Sequence, residues 1–258
     1  MMAVGTFNKA KCLLVKCLRP LSILLLCLLS QFACAKNYSH WYSDQTLNYI
    51  QSVYGENLKK LLFIDAFAHL TLAERKSLST VKMKFPLKGT RAGLFEYAMH
   101  LKTGEMYISA LSVKFFDDIS IAMAWYEAEK KDKTKIAKYL QSLSILAFQY
   151  NAPLKALKVP EKAWQLSPYV DDVSQKTLKS GMLFVLLHEL SHWHFKHAPY
   201  SELSLLQAQQ QELQADAFAL EVMSRMRVIP YGMVSWFMML GLAQTERSST
   251  HPLTSTRL

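Results

Sequence analysis

Cysteine is scarce in this chain of 258 residues, and all four copies lie within the first 34 residues. From residue 35 onward there is no thiol, which excludes disulfide bonds, thiolate zinc sites and cysteine nucleophiles there. Glycine and proline are also scarce, at eight each, and no repeat is visible, which excludes a fibrous protein. The chain is nevertheless 51% hydrophobic, which is too apolar for disorder and indicates a folded domain.

Residues 1–35 have the pattern of a secretory signal peptide. Four basic residues and no acidic one surround the short apolar run Leu21–Leu29, and Ala33-Cys34-Ala35 is a small-residue cleavage site. The alternative is a retained N-terminal membrane anchor, but the apolar stretch from Pro20 to Ala35 is shorter than the ~18–20 residues that span a bilayer. The sequence therefore predicts cleavage after Ala35 and export to the periplasm or beyond.

Basic residues outnumber acidic ones by 30 to 20, and the excess positive charge is concentrated in two parts of the chain. Removal of the signal lowers the net charge from +10 to +6, and the stretch Lys59–Lys102 alone carries nine basic and three acidic residues. This stretch could contact anionic lipid at a membrane surface or an acidic partner, or it could be an ordinary solvated face. Nucleic acid is not an expected partner, because the signal directs the chain out of the cytoplasm.

The first half of the chain mixes helices with a few short strands. Residues 41–79 read as helical, and a capping box at Thr71–Glu74 opens the second helix. Val81–Leu87 alternates apolar and polar residues with lysines and a proline, as in an edge strand. Leu94–Leu101 and Met106–Phe115 flank a turn with a glycine and are predicted to form a β-hairpin.

The second half is predicted to be almost entirely helical, with a proline-rich connector over 151–168. The predicted helices are Asp118–Glu129, Lys133–Tyr150, Gly181–His197, a long amphipathic helix from Ser201 or Ser204 to Met226, and the apolar Pro230–Ala243. The fold class is α+β, mainly α, with a small antiparallel sheet. A single domain is expected over 36–258, in which 36–179 form helices and the sheet, and 180–258 carry the chemistry.

The strongest chemical motif is His188-Glu189-Leu190-Ser191-His192 on a predicted helix. Residues four apart lie one turn apart on one helix face, so both imidazoles can reach one zinc ion. Glu189 lies beside that face, where it can hold a metal-bound water and accept its proton. The alternative is a helix with two ordinary core histidines.

A third metal ligand is needed. The chain does not have the metzincin pattern, because Phe195 and Ala198 occupy the positions at which that class has a glycine and its third histidine. His194 and His197 point off the ligand face by helical geometry and are expected at the surface or behind the ligands.

The next helix offers carboxylates about twenty residues downstream. Glu212 and Asp216 lie one turn apart on one face, and small residues beside them allow a close approach of the two helices. Glu202 and Glu221 are the competitors, with Glu202 near the helix start and Glu221 on the opposite side from Glu212.

Three motifs in this order resemble the gluzincin metallopeptidases of the CAAX prenyl protease and HtpX type. They are His188–His192 (H-E-L-S-H), Glu212–Ala219 (E-L-Q-A-D-A-F-A) and His251–Arg257 (H-P-L-T-S-T-R). The resemblance covers residues 180–258. The phage-exclusion peptidases of the Lit type share the first motif with a downstream glutamate and are a second candidate kinship.

The resemblance implies a zincin-like core in which two motif-bearing helices form the floor of a cleft. It implies one Zn²⁺ ion per chain, held by His188, His192 and Glu212, with Glu189 as the general base. The hairpin Leu94–Phe115 is the candidate edge for pairing with an extended substrate, by analogy with gluzincins.

The resemblance also assigns roles to three further residues. Asp216 would hydrogen-bond a ligand histidine or assist proton transfer. His251 would lie near the metal, either steadying the oxyanion or capping the zinc at rest. Arg257 would pair with a carboxylate of the site or anchor the tail.

The sequence thus predicts a zinc-dependent endopeptidase that hydrolyses exported or envelope proteins, with protein quality control as a candidate role. The alternative is a non-catalytic envelope protein that keeps zinc for structure and binds other proteins in the manner of a chaperone. The presence of Glu189 favours the enzyme, because a structural zinc site needs no base there.

Overall fold

The computed structural model describes residues 37–145 and 151–243, and α-helices account for most of them. The predicted signal peptide, His251 and Arg257 lie outside the described residues. The described part of the chain packs around one hydrophobic core. The class predicted from the sequence, α+β and mainly α, is confirmed.

The chain first runs through a series of helical turns. They are α1 (Asp44–Tyr49), a π-helical stretch (Ile50–Tyr54), α2 (Gly55–Lys60), a second π-helical stretch (Leu61–Ala66), a 3-10 turn (Phe67–His69) and α3 (Leu72–Leu78). The predicted capping box opens α3: the Thr71 hydroxyl accepts from the Glu74 N–H, and the Glu74 carboxylate accepts from the Thr71 N–H.

Three short strands form a sheet with the order β1-β3-β2, where β1 is Lys82–Lys84, β2 is Tyr97–His100 and β3 is Glu105–Ile108. The predicted hairpin is present as β2 and β3, which pair in antiparallel fashion, and Gly104 occupies its turn at φ +67°. However, β1 pairs with β3 in parallel. The sheet is therefore mixed rather than antiparallel. The connection over 85–96 leads from β1 to β2 at the opposite edge of the sheet, and β3 lies between them.

Seven α-helices follow in the described part of the chain. They are α4 (Ala110–Ala128), α5 (Thr134–Ile145), α6 (Pro153–Ala156), α7 (Ala163–Leu166), α8 (Pro168–His194), α9 (Leu205–Arg225) and α10 (Tyr231–Ala243). None of the helices within 37–145 and 151–243 combines the length and the apolar character needed to cross a membrane.

Two helix starts differ from the sequence prediction, and both follow from capping. The hydroxyl of Ser109 accepts from the Ser112 N–H, so α4 begins at Ala110, where the sequence predicts strand as far as Phe115. Ser167 likewise caps α8 with proline at the next position, so that helix begins well before the predicted Gly181. The sequence predicts a later start because the apolar run begins after residue 181, whereas the first half of α8 is polar.

The helix α8 is central, since it packs against α4, α9 and α10. Its approach to α10 and α4 is very close at two glycines. A Cβ on Gly232 of α10 would lie 2.1 Å from the carbonyl oxygen of Thr177, and one on Gly181 would lie 2.4 Å from the Phe116 ring of α4 and 2.9 Å from the carbonyl oxygen of Gly232. At both positions hydrogen is the only substituent for which there is room.

Candidate active site

Two helices bring three buried side chains to one point. His188 and His192 lie one turn apart on α8 with their Nε2 atoms 3.2 Å apart, and Glu212 reaches them from α9. The Glu212 carboxylate places Oε2 3.5 Å from Nε2 of His188, and Oε1 3.5 Å from Nε2 of His192. All three candidate ligand atoms lie within 4.8 Å of one another. The geometry is that of a group that could bind a metal.

The chemistry of these donors fits a cation. Glu212 is 0% exposed and both histidines are 7% exposed, so a carboxylate is buried between two imidazoles. A buried charge is costly unless it is paired or coordinates a metal. Two imidazole nitrogens and one carboxylate oxygen are also the donor set of a catalytic zinc site that keeps a position for water.

Close packing of small residues positions Glu212. Ala215 and Ala219 on α9 are completely buried, and their size allows α9 to lie close against α8. At its far end α9 is tied to α3 by Arg225, whose guanidinium forms a two-pronged ion pair of 2.8 and 2.9 Å with Glu74. The helix α9, which carries Glu212, is therefore held by both α8 and α3.

Asp216 lies one turn beyond Glu212 and contacts the back of a ligand histidine. Its Oδ1 atom is 2.8 Å from Nδ1 of His188. Burial by itself would lower the pKa of His188, but hydrogen bonds to Asp216 and Glu212 outweigh burial and raise that pKa to about 10. These contacts therefore favour the protonated form of His188 when no metal is bound.

His197 stands behind the other ligand histidine. Its Nδ1 atom is 2.8 Å from Nδ1 of His192, and its Nε2 atom is 3.0 Å from Oε1 of Gln214. Burial lowers the pKa of His197, which favours its neutral form. The place behind a ligand is one of the two positions that the sequence predicts for His197. It results from the end of α8 at His194 and from the φ of +54° at Lys196.

Glu189 faces a cleft of about 430 Å³ on the outer side of the histidines. One wall of the cleft is β2, and the other is the segment 198–200. The Glu189 Oε2 atom accepts a hydrogen bond of 2.8 Å from the backbone N–H of Met99 on β2. The candidate base is thus anchored to the strand that forms the cleft wall.

Tyr200 forms part of the opposite wall. Its hydroxyl donates a short hydrogen bond to Oε1 of Glu212, and its side chain is 40% exposed in the cleft. The residue follows Pro199 in a 3-10 turn, and nothing in the sequence pattern distinguishes it from a surface tyrosine. Sequence reasoning missed Tyr200, and it likewise missed Met99 and Gln214.

The remaining sequence candidates lie away from the cluster. Glu202 is exposed in the 3-10 turn, and the exposed Glu221 lies 3.9 Å from Arg225. His194 contacts the Ser77 hydroxyl at 2.6 Å and so joins α8 to α3. Of the carboxylates that the sequence offered as a third ligand, Glu212 is the one that the fold places beside both histidines.

The fold and the site define a mainly helical protein with a buried His-His-Glu group that could bind a metal at the base of a cleft. The family model Peptidase U49 matches residues 122–258, which is just over half of the chain. The chain therefore belongs to the Peptidase U49 family, the Lit-type peptidases. The matched residues include every member of the cluster.

This result supports the Lit-type kinship, while the closer resemblance to the CAAX prenyl protease and HtpX type is not confirmed. Searches of curated proteins and of solved structures found no match to this chain.

Proposed function

We propose that the protein is a zinc-dependent endopeptidase in which His188, His192 and Glu212 hold the metal and Glu189 is the general base. The observation that carries the proposal is the convergence of three buried ligand atoms within 4.8 Å directly behind a cleft that contains Glu189. Bound zinc would polarise the scissile carbonyl and acidify a water molecule. Membership of a peptidase family supports hydrolysis of peptide bonds as the reaction.

Glu189 is suited to proton transfer by its place in the site. It is partly exposed to the cleft, whereas the ligands behind it are buried. The Met99 N–H holds one carboxylate oxygen, which orients the group toward the cleft. In this position Glu189 can take a proton from the attacking water and deliver it to the leaving amine.

An extended substrate would bind along β2, which is an edge strand of the sheet within the described residues. Successive residues of a strand direct their backbone groups to opposite sides. The Ser109 N–H donates to the Glu96 carbonyl across the hairpin, so Tyr97 and Met99 direct their backbone groups to the outer edge. That edge faces the cleft. Because the Met99 N–H is held by Glu189, strand addition of a polypeptide would use the other backbone groups of this edge.

Export is part of the proposal and rests on the signal-like pattern of residues 1–35 and its cleavage site. Exported or envelope proteins would then be the substrates. Expression of the full chain followed by cell fractionation and N-terminal sequencing tests this point. Lys36 as the new N-terminus in an extracytoplasmic fraction is expected, and a cytoplasmic chain that keeps Met1 would contradict it.

The catalytic proposal is tested with Glu189→Gln and the matched control Glu202→Gln, whose side chain is exposed outside the cluster. The amide oxygen of the substituted side chain can still accept from the Met99 N–H, so the fold and the bound zinc should persist. Cleavage of an unfolded polypeptide should fall by about 10²–10⁴ in Glu189→Gln and remain unchanged in the control. Wild-type cleavage by Glu189→Gln would overturn the mechanism. Removal of zinc by a chelator should abolish cleavage, and readdition should restore it.

A further inference from the structure

The backbone turns sharply at the end of α8 and places His197 behind His192. After His194 the backbone reverses at Lys196, and the backbone N–H of His197 donates to the carbonyl oxygen of His192 at 3.0 Å. The same reversal brings the two Nδ1 atoms within 2.8 Å. His197 is 8% exposed, so this contact is buried.

The hydrogen-bond partners determine which ring nitrogens carry protons. Oε1 of Gln214 can only accept, so Nε2 of His197, 3.0 Å away, must carry a proton. In the singly protonated tautomer that this contact selects, Nδ1 of His197 has the lone pair. His192 must donate to that lone pair, because two lone pairs would repel at 2.8 Å. Nδ1 of His192 is therefore the protonated atom, and its Nε2 atom has the lone pair.

The front of the site is compatible with this assignment. Nε2 of His188 lies 3.2 Å from Nε2 of His192, a distance at which one of them donates to the other. A lone pair on Nε2 of His192 serves as the acceptor for a proton on His188. The same lone pair points to the position between the histidines and Glu212 where a metal would bind.

We propose that His197 is a positioning residue that keeps His192 in its metal-binding tautomer, and that Gln214 in turn orients His197. This inference rests on the proposed metal site. Asp216 contacts Nδ1 of His188 in the corresponding way, so each ligand histidine has its own partner behind it.

The use of a neutral partner for His192 has an electrostatic reason. Glu189, Glu212 and Asp216 already bring three carboxylates to a site that is built for one cation. A fourth carboxylate behind His192 would add like-charge repulsion in a buried environment. An imidazole accepts the same hydrogen bond without adding charge.

The experiment measures zinc affinity and ring protonation separately. His197→Phe keeps a ring of similar size but has no acceptor, and it should weaken zinc binding to the metal-free protein by about 10- to 100-fold. His197→Gln restores an acceptor oxygen and should recover most of that loss. The matched control is His194→Phe, because His194 lies on the same helix end but contacts Ser77, and its zinc affinity should be unchanged.

Gln214→Met provides a variant that leaves the core intact, because Gln214 is exposed. It should weaken zinc binding by a few-fold while the thermal unfolding midpoint stays the same. If His197→Phe does not fold, Gln214→Met and His197→Gln still decide the question. Equal zinc affinity in wild type, Gln214→Met and every folded His197 variant would overturn the inference.

Nitrogen-15 spectra of the histidine rings give a readout that a merely structural role would not change. In the metal-free protein His192 should be protonated on Nδ1, and in His197→Phe this preference should be lost. A wild-type spectrum with a bare Nδ1 on His192 would overturn the inference. If the wild type fails to bind zinc at all, the proposed function fails, whereas these spectra still test the tautomer.

Discussion

The backbone N–H of Met99 donates a 2.8 Å hydrogen bond to Oε2 of Glu189 and so joins the edge strand β2 to the candidate general base. The hairpin is held over α8 at its turn as well, since a Cβ on Gly104 would lie 3.2 Å from the Trp193 ring. Trp193 in turn donates from Nε1 to the carbonyl oxygen of Ser77 at 3.1 Å. The strand proposed to bind substrate and the helix proposed to carry the chemistry therefore form one unit.

The Met99 contact predicts that Met99→Pro impairs hydrolysis, because proline has no N–H to hold Glu189. We expect a fall of at least about tenfold in kcat with zinc content retained, by analogy with the loss of one positioned hydrogen bond. The fold should survive, since proline is tolerated where the N–H points away from the ladder. Steady-state cleavage and bound zinc are the measurements.

A neighbouring variant provides the comparison. The N–H of Ala98 points toward Tyr107 of β3, so Ala98→Pro should destabilise the sheet and lower the unfolding temperature more than Met99→Pro does. Equal unfolding temperatures combined with unimpaired cleavage by Met99→Pro would contradict the assigned strand orientation.

Glu212→Ala should remove the third zinc ligand and weaken zinc binding by more than about a hundredfold. Changing a residue that only hydrogen-bonds a ligand usually weakens metal binding by about 10- to 100-fold, so loss of a ligand should have the larger effect. Glu221→Ala is the matched control on the same helix, because its side chain is exposed and contacts Arg225. Zinc content after purification and dialysis distinguishes them. Stoichiometric zinc in Glu212→Ala would eliminate this residue as a ligand.

Zinc binding should release protons and strengthen as the pH rises. The hydrogen bonds of His188 to Asp216 and Glu212 hold its pKa at about 10 in the metal-free protein, despite burial, so a proton must leave before the ring can bind metal. Below that pH the affinity should rise about tenfold per pH unit from this proton alone. Calorimetric titration at pH 6, 7 and 8 in buffers of different ionisation enthalpy measures both effects. An affinity that does not change with pH would contradict the assignment.

Gly232→Ala should destabilise the protein by about 2 kcal/mol or more, because the new methyl group must displace α10 from α8. Gly93→Ala is the control, since the atom nearest to its Cβ would be in the Glu96 side chain, at 3.3 Å. Urea denaturation of both variants gives the comparison. Equal free energies of unfolding would show that the two helices can move apart without cost.

Asp118 should make stability depend on pH. Burial raises its pKa to about 6, although Lys114 lies 2.6 Å away, and the unfolded value is about 3.9. The folded state thus binds this proton more tightly, so the stabilisation is present below about pH 4 and is lost as the pH rises through about 6. Relative to wild type, Asp118→Asn should gain stability between pH 4 and pH 7 in urea denaturation. A constant difference across this range would contradict the raised pKa.

The sequence was sufficient wherever the signal is local. The spacing of His188 and His192 places both on one helix face, whatever surrounds that helix. The capping box at Thr71 and the turn at Gly104 also depend on a few neighbouring residues, and the structure contains both.

Features that depend on the path of the chain could not be predicted from the sequence pattern. The parallel pairing of β1 with β3 depends on where the connection 85–96 passes, which no local pattern records. For His197 the sequence leaves two positions open, the surface or behind the ligands, and the backbone turn at Lys196 places it behind His192.

By itself the sequence determined the chemistry that is available: a helix with two histidines and an adjacent glutamate, downstream carboxylates, and no thiol after residue 34. The resemblance of its motifs implied Glu212 as the third ligand and Asp216 as a supporting residue. The tertiary structure brings Glu212 to both histidines and adds Tyr200, Met99, His197 and Gln214 to the groups around them. The close packing of α9 on α8 buries Glu212 between the histidines, and the reversal after His194 places His197 behind His192. The first depends on the packing of two helices, and the second on the exact residue at which α8 ends. Neither follows from helical periodicity.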